Sequence, residues 1–224
     1  MQLLHQTISK LKGFKEWFDT LSLHESQLVL GLSGSVKHLA ESCAFEKLDK
    51  QLVIVTPTLL QATQTYEELS EWYDDEVVHL FPVEESLAAD FSVVSPDVVS
   101  QRIRTLDFLC RGEKGIVIVP LSGVQKLLVP AAVWKKSSIE LAMGSEIESI
   151  DAFVEQLVEL GYRRENMVAT PGEFALRGSI VDIYPLDQEY PLRLDFFDTE
   201  VDSIRAFNAE TQRSMDVINE VRIL

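Results

Sequence analysis

Leu52-Val53-Ile54-Val55 sets the architecture of the first half of the chain. The run is short, β-branched and continuous rather than alternating, as a strand covered on both faces must be. Leu28 to Leu30, Val77 to Phe81 and Ile116 to Val119 read as strands in the same way. Helical patterns separate them. From Thr58 onward, Ala62, Tyr66, Leu69 and Tyr73 fall on one stripe. Between Ser95 and Cys110, Val99, Ile103, Leu106 and Cys110 recur at spacings of 4, 3 and 4. Ser95 offers a cap there, Pro96 suits a first helical position, and Gly112 stops the helix. Buried strands alternating with amphipathic helices imply βαβ units, so the expected fold is an α/β layer with a parallel sheet.

The pattern changes near Pro130. Ser138 to Met143 reads as a strand, and Ile150 to Leu160 as a helix with Ile150, Phe153, Val154 and Leu157 on one face, ended by Gly161. Strands then follow closely: Phe174 to Leu176, Ile180 to Tyr184, Leu192 to Phe197 and Val201 to Ile204. Such spacing implies an antiparallel meander packed on the single helix, a smaller α+β domain. The expected division is 1–125 and 126–213, with 214–224 opening a further segment of a longer polypeptide.

Of the 224 residues, 46% are hydrophobic and 25% charged, the composition of an ordinary globular protein with a core. No apolar run approaches the ~20 residues that span a bilayer, and the first residues lack a signal-peptide core, so a cytoplasmic chain without a membrane role is expected. Cys43 and Cys110 stand apart from each other and from His5, His24, His38 and His79, which points to neither a disulfide framework nor a zinc site. The 36 acidic against 20 basic residues give a net charge of −16. That field repels a phosphate backbone, so little direct nucleic-acid binding and a protein partner are expected.

Leu28-Val29-Leu30-Gly31-Leu32-Ser33-Gly34-Ser35-Val36-Lys37-His38 stands where a phosphate-binding loop belongs. In the working motif G-x-x-x-x-G-K-[ST], amides wrap the phosphates, lysine neutralises charge and the last hydroxyl holds magnesium. Gly31 and Lys37 match, and Gly34 adds a turn, but Val36 replaces the second glycine and His38 the hydroxyl. Valine held in a glycine conformation would cost ~1–3 kcal/mol, and His38 lacks the hard oxygen that magnesium prefers. A carboxylate at a strand end is also missing: Thr56-Pro57 follows Val55, Pro82 follows Phe81, and Pro120 follows Val119. A degenerate loop, with no ATPase and no bound cofactor, is the expectation. A strand-turn-helix with incidental glycines remains the alternative, and it excludes hydrolysis equally.

Gly161-Tyr162-Arg163-Arg164, then Pro171-Gly172-Glu173-Phe174-Ala175-Leu176-Arg177-Gly178-Ser179-Ile180-Val181-Asp182-Ile183-Tyr184-Pro185, then Leu192-Arg193-Leu194-Asp195-Phe196-Phe197-Asp198 form one long pattern. It resembles the stretch shared by the repair protein UvrB and the transcription-repair coupling factors (Mfd). Phe81-Pro82-x-Glu84 and Ser95-Pro96-Asp97 before Gln101-Arg102-Ile103 resemble the coupling-factor leader, and the degenerate loop sets the chain apart from UvrB itself. The resemblance implies a degenerate UvrB-like domain 1a, then domain 2, then the start of domain 1b, as an amino-terminal region of a coupling factor. It implies that domain 2 binds UvrA through Arg164, Arg177, Arg193 and Asp195, with Arg163 adjacent. RNA polymerase, DNA, ATP and magnesium would be handled by later regions of the intact protein. Ala175 departs from the pattern, standing where UvrB has another basic residue.

Period two in Leu192 to Phe196 places Arg193 and Asp195 on one face, about 6–7 Å apart. Side by side they could orient a partner, with Arg164 and Arg177 adding planar donors. Two other classes compete with this interaction module. One is a nucleotide hydrolase working through Gly31 to His38. The other is a nucleic-acid-binding domain using Arg102, Arg104 and Arg111, or Lys135-Lys136.

Overall fold

The computed structural model describes residues 12–21, 26–83, 95–134 and 137–224. Two compact units divide the chain: Met1–Asp90 with Arg111–Leu127, and Phe91–Cys110 with Leu128–Leu224. Glu84 and Lys135-Lys136 lie outside the described residues.

In the first unit, helix α1 (Lys12–Thr20) and helix α2 (Ser35–Leu48) precede strand β1 (Leu52–Thr56), helix α3 (Leu59–Ser70) and strand β2 (Val78–Leu80). Helix α4 (Pro96–Arg111) comes next in the chain, followed by β3 (Ile116–Pro120) and the short α5 (Leu121–Val124). The three strands form a parallel sheet in the order β1-β3-β2, with Leu52 and Val78 both opposite Ile116. Central β3 is buried throughout, the pattern its continuous hydrophobicity predicts. Edge strand β1 alternates instead, with Ile54 buried while Val53 and Val55 stay half-exposed. The Thr58 hydroxyl caps α3 by accepting from the Gln61 amide at 3.2 Å, and Ala62 and Leu69 carry its stripe into a core with Phe45, Ile116 and Ile118. One expected strand is absent: Leu28 to Leu30 are irregular, and Leu28 is 83% exposed. A strand exists only through its hydrogen-bonding neighbour, and no described strand pairs with these three residues.

The second unit holds most of α4, the short α6 (Ala131–Trp134), β4 (Ile139–Ala142), α7 (Ile150–Glu159) and strands β5 (Arg163–Arg164), β6 (Glu173–Arg177), β7 (Ile180–Ile183), β8 (Leu192–Phe197), β9 (Glu200–Phe207), β10 (Ser214–Ile218) and β11 (Glu220–Ile223). From β6 to β10 the sheet is an antiparallel meander, with β5 added in parallel beside β6. Ser149 caps α7 through the Ala152 amide, and Phe153 and Leu157 press its buried face onto Phe174, Val181, Leu194 and Phe196. Residues 214–224 supply β10, bonded to β9, and β11, bonded to β4 in a separate two-stranded sheet.

Helix α4 has the span its spacing predicts, but a different face is buried. Ser100, Thr105, Asp107 and Phe108 are inside, whereas Val99, Ile103, Leu106 and Cys110 are only partly covered. Polar partners account for this. The Ser100 hydroxyl donates to the Leu186 carbonyl, and Asp107 accepts from Arg222 at 2.8 Å and from the Trp134 indole at 3.5 Å. A buried carboxylate so paired is tolerated where an unpaired one would not be.

Candidate functional site

Strand β8 builds the candidate surface by simple alternation. Leu192, Leu194 and Phe196 point into the core, so Arg193, Asp195 and Phe197 point to the opposite face of the sheet. Strand register aligns that face into rows. Ala175, Asp182, Arg193 and Arg205 form one row across β6 to β9, and Arg177, Ile180, Asp195 and Ser203 form the next. A small apolar cluster of Val168, Ala175 and Phe207, with Tyr184 against it, covers part of this second face.

Arg193 does not stand free beside Asp195, as the strand spacing alone predicts. Its Nε and Nη2 donate to the two carboxylate oxygens of Asp182 at 2.6 and 2.8 Å, and its guanidinium lies 4.6 Å from the centre of the Phe207 ring. Asp182 is 1% exposed at its side chain and Arg193 23%. This fork-to-fork pair raises the Arg193 pKa above its ordinary value, the Asp182 hydrogen bond outweighing the loss of water. Arg193 thus holds the face together from within. The expectation that Arg193 and Asp195 act side by side is corrected, because Asp182 in the neighbouring strand claims the guanidinium.

Arg164 and Arg177 do come together. With Glu165, Asn166 and Leu176 they line a concavity of about 450 Å³, and both are exposed. Arg177 is steadied by one hydrogen bond, 3.2 Å from its Nη2 to the Asn166 carbonyl, and so keeps donors for a partner. Arg163 is exposed and lies 3.6 Å from Glu173. Burial would raise the Glu173 pKa, but the amides of Ala169 and Thr170, each at 2.9 Å, the Thr170 hydroxyl and Arg163 together hold it below the usual value. The loop before β6 is therefore fixed by a carboxylate, and it carries Val168 onto Ala175. Ala175 is 1% exposed, so a basic residue at that position would meet packed side chains here.

The phosphate loop takes another form. Gly31 and Gly34 both have positive φ, and α2 starts immediately at Ser35. Val36 lies inside the helix with its side chain 51% exposed, so the strain expected of a valine in a glycine conformation does not arise. Lys37 turns to Glu41 at 3.6 Å, and buried His38 places Nδ1 2.9 Å from Glu41 and Nε2 3.9 Å from Glu68. The concavity beside them, about 610 Å³, is lined by Gly34, Lys37, His38 and Thr56 and also by Glu67, Glu68 and Glu71. Three carboxylates around one lysine disfavour a triphosphate. Thr56, at the end of β1, is buried and donates its hydroxyl to the Thr58 carbonyl at 2.9 Å. Among the described residues no carboxylate stands at that strand end.

Two residues on the arginine face lie within the long sequence pattern, which assigns neither of them a role. Asp182 is legible afterwards as the one charge inside an apolar strand, which demands a buried partner. Phe197 follows Phe196, and of two successive aromatics in a strand one must face outward. Cys43 is buried, Cys110 is half-buried, and neither is bonded to another cysteine. No helix among the described residues is long and apolar enough to cross a membrane.

Residues 139–224, the stretch from β4 to β11, match the family described as the UvrB interaction domain. The α7-backed meander with its arginine face is thus the part of the chain that is similar to the UvrB-interaction class. Along nearly its whole length the chain also matches transcription-repair-coupling factors: that of Staphylococcus epidermidis is 45% identical over 216 residues, covering 96% of this chain and 18% of that protein. The factor of Staphylococcus haemolyticus is 42% identical over 221 residues, covering 99% and 19%, and that of Bacillus subtilis 40% over 204 residues, covering 90% and 17%. The chain is therefore similar to a UvrB-like module of a transcription-repair coupling factor, and it spans under a fifth of the length of these relatives.

Proposed function

We propose that this chain is the UvrA-docking module of a transcription-repair coupling factor, which brings nucleotide excision repair to stalled RNA polymerase and hydrolyses no ATP itself. The observation that carries this reading is the pair Arg164 and Arg177, exposed around one concavity in the stretch that matches the UvrB interaction domain. Planar guanidinium donors on a rigid sheet suit carboxylates of a protein partner. RNA polymerase, DNA, ATP and magnesium are assigned to other regions of the intact, cytoplasmic protein. The acidic lining beside Lys37 supports the absence of hydrolysis. The net charge of −16 speaks against a nucleic-acid-binding role for Arg102, Arg104 and Arg111, of which Arg111 pairs with Glu113 at 3.1 Å.

Capture of purified UvrA by the immobilised chain tests the reading. Charge-assisted hydrogen bonds contribute ~1.5–3 kcal/mol each, so Arg164→Glu with Arg177→Glu should weaken capture at least tenfold. Both residues are exposed, so the melting temperature should hold. Unchanged capture after the double reversal, or salt-dependent retention of duplex DNA in place of UvrA, refutes it.

A further inference from the structure

We infer that Phe197 is the apolar anchor of the docking face, inserting into an apolar pocket of UvrA rimmed by charges of both signs; this rests on the reading just proposed. Among the described residues of the second unit Phe197 is the most exposed large hydrophobic side chain, at 78%. A phenyl ring left in water forgoes the large apolar contribution that its burial would make. Its direction is fixed by the strand: it follows Arg193 and Asp195 on the second face, while its neighbour Phe196 is 3% exposed and packs against Phe153 with ring centres 5.8 Å apart.

The hairpin tip is rigid as well as exposed. Phe197 pairs with Glu200 across a two-residue turn in which Asp198 takes φ 58°, and the Phe196 amide donates to the Ser179 carbonyl at 3.0 Å. That second bond ties the tip to the β6–β7 turn, which follows Arg177 directly. Register in β8 and β9 shifts between Asp195 and Phe196, a bulge that leaves Asp202 as an extra residue between their partners Ser203 and Val201. Bulges re-aim side chains beside functional sites. Preorganisation lowers the ordering cost of binding, and aromatic side chains are enriched at the centres of interfaces. Arg177 precedes the β6–β7 turn bonded to the tip, whereas Asp195 lies two positions along the strand on the ring's face and Glu200 stands directly across the hairpin, so the surround carries both charges and selects a partner pocket whose rim does too.

The test substitutes Phe197→Ala in the 224-residue chain, with Val158→Ala, 55% exposed on α7, as an apolar control. Phe197→Ala should weaken UvrA capture at least tenfold while the melting temperature stays or rises, and Val158→Ala should leave capture unchanged. Capture by Phe197→Ala within twofold of the parent, with the Arg164 and Arg177 reversal still losing it, overturns the anchor and leaves the docking reading standing. If the arginine reversal is also without effect, the docking reading itself falls. A drop of several degrees in melting temperature would make Phe197 structural, and dimers dissolved by Phe197→Ala in sedimentation would assign the ring to a second copy of the chain; either result overturns the inference.

Discussion

Arg193→Glu should destabilise the second unit before it can report on any partner. The substitution removes both donors from Asp182, whose side chain is 1% exposed, and places a second carboxylate beside it. Breaking a buried ion pair by deleting one partner costs ~3–5 kcal/mol. The 23% exposure of Arg193 puts the pair toward the lower end of that range, and the lost stack on Phe207 returns roughly 0.5–1 kcal/mol. At ~2–4 °C per kcal/mol for a chain of this size, the melting temperature should fall on the order of 10 °C. Thermal unfolding followed by circular dichroism reads the effect. Combining Asp182→Asn with Arg193→Gln should recover at least ~1 kcal/mol relative to the sum of the single changes, since the two side chains act as one unit. A melting temperature for Arg193→Glu within about 2 °C of the parent would refute the assignment of Arg193 to the inside of the fold.

Asp187 should be a net liability at neutral pH: burial raises its pKa above the ordinary 3.8, and its Oδ1 has no hydrogen-bond partner among the described residues. The folded chain then binds this proton more tightly than the unfolded chain, so its contribution is favourable at low pH and is lost as pH rises from 3.8 through the raised value. Asp187→Asn should raise the melting temperature at pH 7 by ~2–5 °C and flatten that part of the pH profile; a lower melting temperature at pH 7 refutes this. Val36→Gly with His38→Thr should restore the letters of the phosphate loop without function, because Glu67, Glu68 and Glu71 still line the concavity. Calorimetric titration should find no magnesium-dependent ATP affinity tighter than millimolar, and a phosphate-release assay no turnover; measurable ATPase would reveal a catalytic carboxylate elsewhere.

The elements legible in the sequence were those whose signal is local. Thr58, Ser149 and Gly161 punctuate helices through bonds or backbone angles within a few residues, and the α3 and α7 stripes follow from helical period alone. The alternation in β8 likewise told which side chains leave the core. What stayed hidden depends on residues distant in the chain. Leu28 to Leu30 have strand composition, yet pairing requires a neighbour that composition cannot supply. The buried face of α4 is chosen by Leu186 and Arg222, roughly a hundred positions away, against the apolar stripe of the helix itself. Alternation puts Arg193 on the right face but cannot name its neighbour, because the register that sets Asp182 opposite it is a property of two strands together.

The pairing of β4 with β11, Ile139 opposite Ile223 and Glu140 opposite Arg222, brings the two ends of the matched stretch to adjacent strands. A polypeptide that enters and leaves through one doorway can be spliced into a host loop with no spanning linker, and lifted out as readily. Arg222 qualifies that portability. It stands on the exit strand and also grips Asp107, which the chain supplies from α4, before the doorway. A graft cut at 139 and 224 would carry the arginine without its acid, so the natural seam of this cassette runs through α4 rather than along the boundary of the family match.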